Sequence, residues 1–135
     1  MKSIFYYIFS VFFECGNLQK IPRKKNDLIH NILSYIERNY DKDITLHTVA
    51  DEVGYTYNYL SNLFHSIFKA DFPQLLNECR IDHACRFLRA SDASISKIAM
   101  SCGYNSLRSF NRNFIQIKGI TPSQFREQNN EKLLL

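Results

Sequence analysis

The sequence predicts an all-α protein, and three observations lead to that expectation. Glycine and proline are scarce, with 4 and 3 among 135 residues, which disfavours the frequent tight turns of a β-sandwich. Apolar residues make up 45% of the chain and recur at helical spacing, which is typical of a globular domain with a buried core. A pattern of helix, tight turn and helix occurs twice, with a period of about fifty residues.

The N-terminal segment, residues 1–26, differs from the rest of the chain in charge. It contains five basic residues and one acidic residue and accounts for the whole net charge of +4, whereas the remaining 109 residues contain 12 of each sign. Its apolar run, Ile4–Phe13, is shorter than the about 18 residues of a membrane-spanning helix, so no membrane is expected as a partner. A signal peptide is the alternative, but the small-residue cleavage pattern is missing. We expect an apolar segment that could form a homodimer, followed by a basic linker at Gly16–Asn26.

The four cysteines are expected to be reduced, half-buried thiols of a cytoplasmic protein. Cys15, Cys79, Cys85 and Cys102 form no CxxC pair and no zinc-finger spacing. Cys79 and His83 stand one helical turn apart, but no second pair of ligands is expected to face them. We therefore expect no metal and no cofactor.

The first repeated unit is expected to contain a helix that begins after Thr45, a turn at Gly54 and a second helix that begins after Thr56. Threonine caps helix N-termini, and glycine adopts positive φ cheaply. The second helix is expected to bury a stripe consisting of Tyr59, Leu60, Leu63, Phe64 and Ile67. Its opposite face would then present Asn58, Ser61, Asn62 and His65.

The second unit repeats this plan, with Ser94 as the first cap, a turn at Gly103, and Asn105 or Ser106 as the second cap. Phe110 and Phe114 are expected to be buried. The outward positions of the second helix are Arg108, Asn111, Arg112, and Ile115 or Gln116.

Helical pairs of this kind can place their second helix in the major groove of DNA, where amides recognise adenine and guanidinium groups recognise guanine. The charges favour this use, because the 34 residues from Ala93 to Arg126 contain no acid and five cations. We predict base contacts from Asn58, Ser61, Asn62, Arg108, Asn111 and Arg112. We predict phosphate contacts from His65, Lys69, Lys97, Ser106 and Lys118, with Arg126 either at a phosphate or in solvent.

A single helix is expected to join the two units. Asp71 can cap it and Pro73 suits its first turn, so we expect it to run over residues 72–91. Its length of about 30 Å is close to the about 34 Å of one turn of B-DNA. The helix could therefore hold both second helices in successive major-groove segments of one duplex, if the DNA bends or one unit docks less deeply.

Three stretches, Ile44–Phe64, Arg80–Leu88 and Ile95–Arg126, resemble the two helix-turn-helix units and the linker helix of the AraC/XylS family of bacterial transcription regulators. The resemblance covers about residues 27–128. It implies a seven-helix DNA-binding domain and the base contacts predicted above. It also implies a protein that usually activates transcription from bacterial promoters, and RNA polymerase is a possible partner. We expect no enzyme activity, because no nucleophile, base and orienting group are grouped by motif and no glycine-rich phosphate loop occurs. The implied divisions are the domain at 27–130, the helix-turn-helix units at 45–69 and 94–118, the linker helix at 72–91, and a tail at 131–135.

The sequence also departs from the family. Basic residues usually follow the phenylalanine of each second helix, but His65-Ser66 and Ile115-Gln116 stand there. The glycine that usually ends the first of these helices is Lys69. Most relatives carry a large N-terminal sensing or dimerising domain, so the chain is either a stand-alone regulator or the C-terminal piece of a longer protein. The alternative function is a degenerate module that binds a protein partner. Related repair methyltransferases use reactive cysteines, but no cysteine here is placed as a nucleophile.

Overall fold

The computed structural model describes residues 23–134. They contain seven α-helices and one π-helical turn, joined by short loops, and no strand occurs among them. The helices are α1 (Arg23–Asn39), α2 (Leu46–Val53), α3 (Tyr57–Leu63), α4 (Phe72–Ala90), α5 (Ile95–Ser101), α6 (Leu107–Lys118) and α7 (Pro122–Leu133), and the π-turn is Phe64–Phe68. The all-α, seven-helix expectation is thus confirmed. The chain divides into two compact units, with the boundary in sequence between Cys79 and Arg80.

The first unit is built around the apolar face of α1. Leucine and isoleucine recur along that helix at positions 28, 29, 32, 33 and 36, and all five side chains are buried, as the helical repeat requires. They belong to one core with Val49, Leu60 and Phe64. Phe64 packs against the rings of Phe68 and Phe72, at centroid distances of 4.9 and 5.9 Å. This core holds α2 and α3 in place.

The caps of α2 and α3 are those that the sequence predicts. The Thr45 hydroxyl accepts from the backbone N–H of Thr48, and the Thr48 hydroxyl oxygen accepts from the N–H of Thr45, which forms a capping box. The Thr56 hydroxyl accepts from the N–H of Tyr59. Gly54 ends α2 at a φ of 76°, and no neighbouring atom lies within 4 Å of a Cβ built there. Glycine is therefore needed at this turn for its backbone conformation and not for space.

The C-terminal end of α3 is unusual. The chain passes from α3 into the π-turn Phe64–Phe68, and the rings of Phe64 and Phe68 are both buried. Lys69 then adopts a φ of 51°, the single positive φ at a non-glycine residue in the part of the chain that the structure describes. The left-handed conformation costs a residue with a Cβ about 1 kcal/mol or more, so the turn is strained where the family usually has glycine.

The second unit has its own aromatic core. Edge-to-face and tilted contacts run from Tyr104 to Phe110, from Phe110 to Phe114 and from Phe114 to Phe125, at centroid distances of 5.3, 5.7 and 5.7 Å. Phe110 and Phe114 are fully buried, as the spacing predicts. The hydroxyls of Ser94, Ser106 and Thr121 cap α5, α6 and α7.

Some boundaries differ from the expected ones. The first described helix includes residues 23–25, so the basic triplet that is expected in a linker is helical. The last helix continues to Leu133, within the residues that we assigned to a tail. The apolar run Ile4–Phe13 and its possible dimer contact lie outside the described residues.

Candidate nucleic-acid interface

The first reading face is the side of α3 and the π-turn that bears Asn58, Ser61, Asn62 and His65. Because Leu60, Leu63 and Phe64 turn into the core, these polar side chains face outward. Asn58, Asn62 and His65 are exposed and Ser61 is half-buried. Lys69, the predicted phosphate contact that follows, is also exposed. The face therefore offers amide and hydroxyl groups that can donate to and accept from base edges.

Three tyrosines flank this face, and sequence reasoning missed them. Tyr55, Tyr57 and Tyr59 are 43%, 41% and 43% exposed. Tyr59 was expected in the buried stripe, and that expectation is wrong: its ring stacks on Tyr55 at 5.2 Å instead. The ring of Tyr57 stacks on His47 at 4.2 Å and 15°. Tyr57 and Tyr59 on α3 gave the available signal, because residues two positions apart on a helix do not share a face.

A cavity of about 350 Å³ lies beside the first reading face. It opens where the start of α2, the outward side of α3 and the start of α4 come together, and its walls include His47, Tyr57, Ser61, His65 and Phe72. Two predicted DNA contacts, Ser61 and His65, thus line a concave surface with a mainly apolar floor.

The second reading face is the outward side of α6. Arg108 and Arg112 are exposed and Asn111 is half-buried, while Phe110 and Phe114 hold the opposite side in the core. Lys97 is exposed at the start of α5, and Lys118 is half-buried in the last turn of α6. Two large apolar side chains on the same helix, Leu107 and Ile115, are also exposed, at 39% and 44%.

Ser106 has a structural task in addition to its predicted phosphate contact. Its hydroxyl oxygen accepts from the N–H of Ser109 at 3.1 Å and so caps α6. The hydroxyl proton remains able to donate outward.

Arg126 belongs to the fold of the second unit, a role that neither of its expected locations included. Its guanidinium Nη2 donates to the carbonyl oxygens of Ala93 at 2.7 Å and Ser91 at 3.2 Å, and Nε donates to that of Leu88 at 3.5 Å. The side chain is half-buried and ties α7 to the C-terminal end of α4. Of the five cations between Ala93 and Arg126, four are therefore candidates for DNA contact.

The described cysteines are buried, and Cys79 lies close to Glu37 and His83, with the possible ligand atoms of the three side chains within 4.8 Å of one another. Cys79, Cys85 and Cys102 are buried and form no disulfide bond with one another. Burial raises the pKa of the Cys85 thiol from its ordinary value of 9.0 to about 11, which keeps it protonated. Burial likewise raises the pKa of the Tyr104 hydroxyl far above its usual range. Cys15 lies outside the described residues. Among the helices described, none is both long and apolar enough to traverse a bilayer.

Comparison with known proteins gives the class of this chain. A family described as "Helix-turn-helix domain" matches residues 49–128. An HTH-type transcriptional regulator of Staphylococcus aureus is 34% identical over 101 residues, which are 75% of this chain and 14% of that protein. The fold matches an AraC-type DNA-binding domain protein from Chromobacterium violaceum with a TM-score of 0.74 and 23% identity, over 80% of this chain and 96% of that one. It also matches the DNA-binding domain of AdpA in complex with a target DNA, with a TM-score of 0.72 and 21% identity, over 78% and 94% of the two chains.

The fold and the family are those of DNA-binding transcription regulators and not of an enzyme. The chain belongs to the AraC-type helix-turn-helix family, as its sequence resemblance indicates. It spans about a seventh of the length of the staphylococcal relative.

Proposed function

We propose that this chain binds double-stranded promoter DNA sequence-specifically and regulates transcription, as an activator, with α3 and α6 each reading a major-groove segment. The observation that carries the proposal is the second reading face. Two exposed arginines and an amide project from a helix whose other side is locked by two fully buried phenylalanines. No acid lies between Ala93 and Arg126, so nothing in that sequence repels a phosphate backbone.

The proposed base contacts are Asn58, Ser61, Asn62, Arg108, Asn111 and Arg112, and the proposed phosphate contacts are His65, Lys69, Lys97, Ser106 and Lys118. The complex of the AdpA domain with its target DNA supports this use of the fold. We further propose a bacterial cytoplasmic location, contact with RNA polymerase, and a homodimer formed through the N-terminal segment.

Selection of bound duplexes from a random pool, followed by footprinting, tests the proposal. We expect two short blocks of sequence preference about ten base pairs apart. Affinity should fall steeply with salt, with a slope near −0.9 per phosphate neutralised. Absence of any enriched sequence, together with weak binding at low salt, would reject DNA reading.

Two substitutions separate base contacts from phosphate contacts. Arg112→Ala should relax the preference at one base pair and cost about 1–3 kcal/mol of binding free energy. Lys118→Ala should weaken all sequences about equally and reduce the salt slope by about one. An equal, sequence-specific loss from both variants would contradict this division.

The alternative function, a module that binds a protein partner, is favoured by one observation. The three tyrosines beside the first reading face expose amphipathic rings of a kind enriched at protein interfaces. Such a module would bind duplex DNA poorly at every salt concentration, so the same salt titration distinguishes the two functions.

A further inference from the structure

Leu107 is a large apolar side chain that is partly exposed to solvent. It is the first residue of α6, it is 39% exposed, and it directly precedes Arg108. The core contacts of α6 come from Phe110 and Phe114, which are both fully buried. More than half of the Leu107 surface is buried and supports the fold, and the exposed 39% remains available to a ligand.

The position of Leu107 on the helix indicates which ligand that is. Recognition helices meet base edges with their N-terminal residues. Leu107 lies one helical turn before Asn111, so its methyl groups lie beside the side chains proposed to read bases. Leucine cannot donate to a phosphate, and the one apolar group that the major groove presents is the 5-methyl group of thymine.

We infer that Leu107 contacts the 5-methyl group of a thymine at or next to the base pair read by Arg108 or Asn111. The inference rests on the proposed function, because it assumes that α6 enters the major groove. The surrounding charge favours DNA as the occupant, since Arg108 and Arg112 follow on the same helix and no acid lies nearby in the sequence.

Ile115 provides a matched control on the same helix. It is 44% exposed, similar to Leu107, but it lies eight residues later. That separation is about 12 Å along the helix axis, so a thymine methyl group in contact with Leu107 is out of reach of Ile115, although Ile115 lies one turn after Asn111.

The test uses the full chain and the duplex obtained by selection. The half-site of α6 is the one in which Arg112→Ala relaxes the base preference. Each thymine of that half-site is replaced in turn by deoxyuridine, which lacks only the 5-methyl group, and Kd is measured at fixed salt. We expect one replacement to raise Kd about fourfold, which corresponds to the free energy of burying one methyl group. Leu107→Ala should abolish this penalty, whereas Leu107→Ile and Ile115→Ala should retain it. Thermal denaturation of each variant verifies folding.

Three results would overturn the inference while leaving DNA binding intact: no thymine selected in that half-site, no effect of any deoxyuridine, or a penalty that persists in Leu107→Ala. Loss of the penalty in Ile115→Ala would also overturn it. Absence of sequence-selective binding by the unaltered chain would instead reject the proposed function, and this inference with it.

Discussion

Replacing Arg126 by alanine should destabilise the second unit without changing how the chain meets DNA phosphates. The structure places the guanidinium group on three carbonyl oxygens, those of Ala93, Ser91 and Leu88, at 2.7, 3.2 and 3.5 Å. These acceptors lie 33 to 38 residues earlier in the chain, so Arg126 joins α7 to the end of α4 and the segment that follows it. The positive charge also lies near the negative end of the α4 dipole.

The expected loss follows from the geometry of these bonds. Hydrogen bonds from charged donors contribute about 1.5–3 kcal/mol each when fully buried. The bonds to Ala93 and Ser91 have ordinary hydrogen-bond lengths, whereas the bond to Leu88 is at the upper limit of length. Because the Arg126 side chain is half-buried, water can replace part of the lost hydrogen bonding in the alanine variant. We expect a decrease of about 2 kcal/mol in the free energy of unfolding and a fall in Tm of about 8 °C.

Two measurements check this prediction. Thermal denaturation gives the stability of Arg126→Ala and of Arg126→Lys, which should recover part of the loss because an ammonium group can still donate to a carbonyl. The salt dependence of DNA binding, measured at a temperature where the variants are folded, should keep its slope. Lys97→Ala is the matched control: this exposed lysine should lower the slope by about one and leave Tm nearly unchanged.

The opposite pattern would refute the reasoning. If Arg126→Ala kept its Tm and reduced the salt slope by about 0.9, the side chain would be a phosphate contact, as the sequence allowed.

Three further predictions concern backbone conformation and buried ionisable groups. Lys69→Gly should raise stability by about 0.5–1 kcal/mol, because it relieves the left-handed φ at a small entropic cost; an unchanged Tm would contradict this strain. Gly54→Ala should cost about 1 kcal/mol at a φ of 76°, again read from Tm, and a neutral result would mean that the turn relaxes. Stability should fall as pH rises from 9 to about 11, because the unfolded chain releases the Cys85 proton at lower pH than the folded chain does. Urea unfolding at pH 8 and pH 10.5 should show a smaller loss in Cys85→Ala, and equal losses would exclude the thiol as a cause. The buried Tyr104 hydroxyl should add to the loss in both proteins.

Features that depend on neighbouring residues in the chain were predictable from the sequence. The caps at Thr45, Thr56 and Ser94 and the glycine turn at Gly54 were correctly placed, because each is closed by groups at most four residues away. The buried sides of α3 and α6 followed from helical periodicity, with the exception of Tyr59. Tyr59 shows the limit of an argument from periodicity. A tyrosine ring at the edge of a buried stripe can stack on another exposed ring instead of entering the core, and helical spacing alone does not exclude that arrangement.

By itself, the sequence determined the all-α class, the duplicated helix-turn-helix pattern and the anion-free stretch around α6, since periodicity, capping and charge are written in local residue order. Only the tertiary structure decided that Arg126 serves the fold, that Tyr57 stacks on His47 of the preceding helix, and that a cavity forms beside the first reading face. The physical reason is that these features arise where segments distant in sequence come together. A guanidinium group can donate to a phosphate oxygen or to a backbone carbonyl oxygen, and only packing decides which of them is within reach.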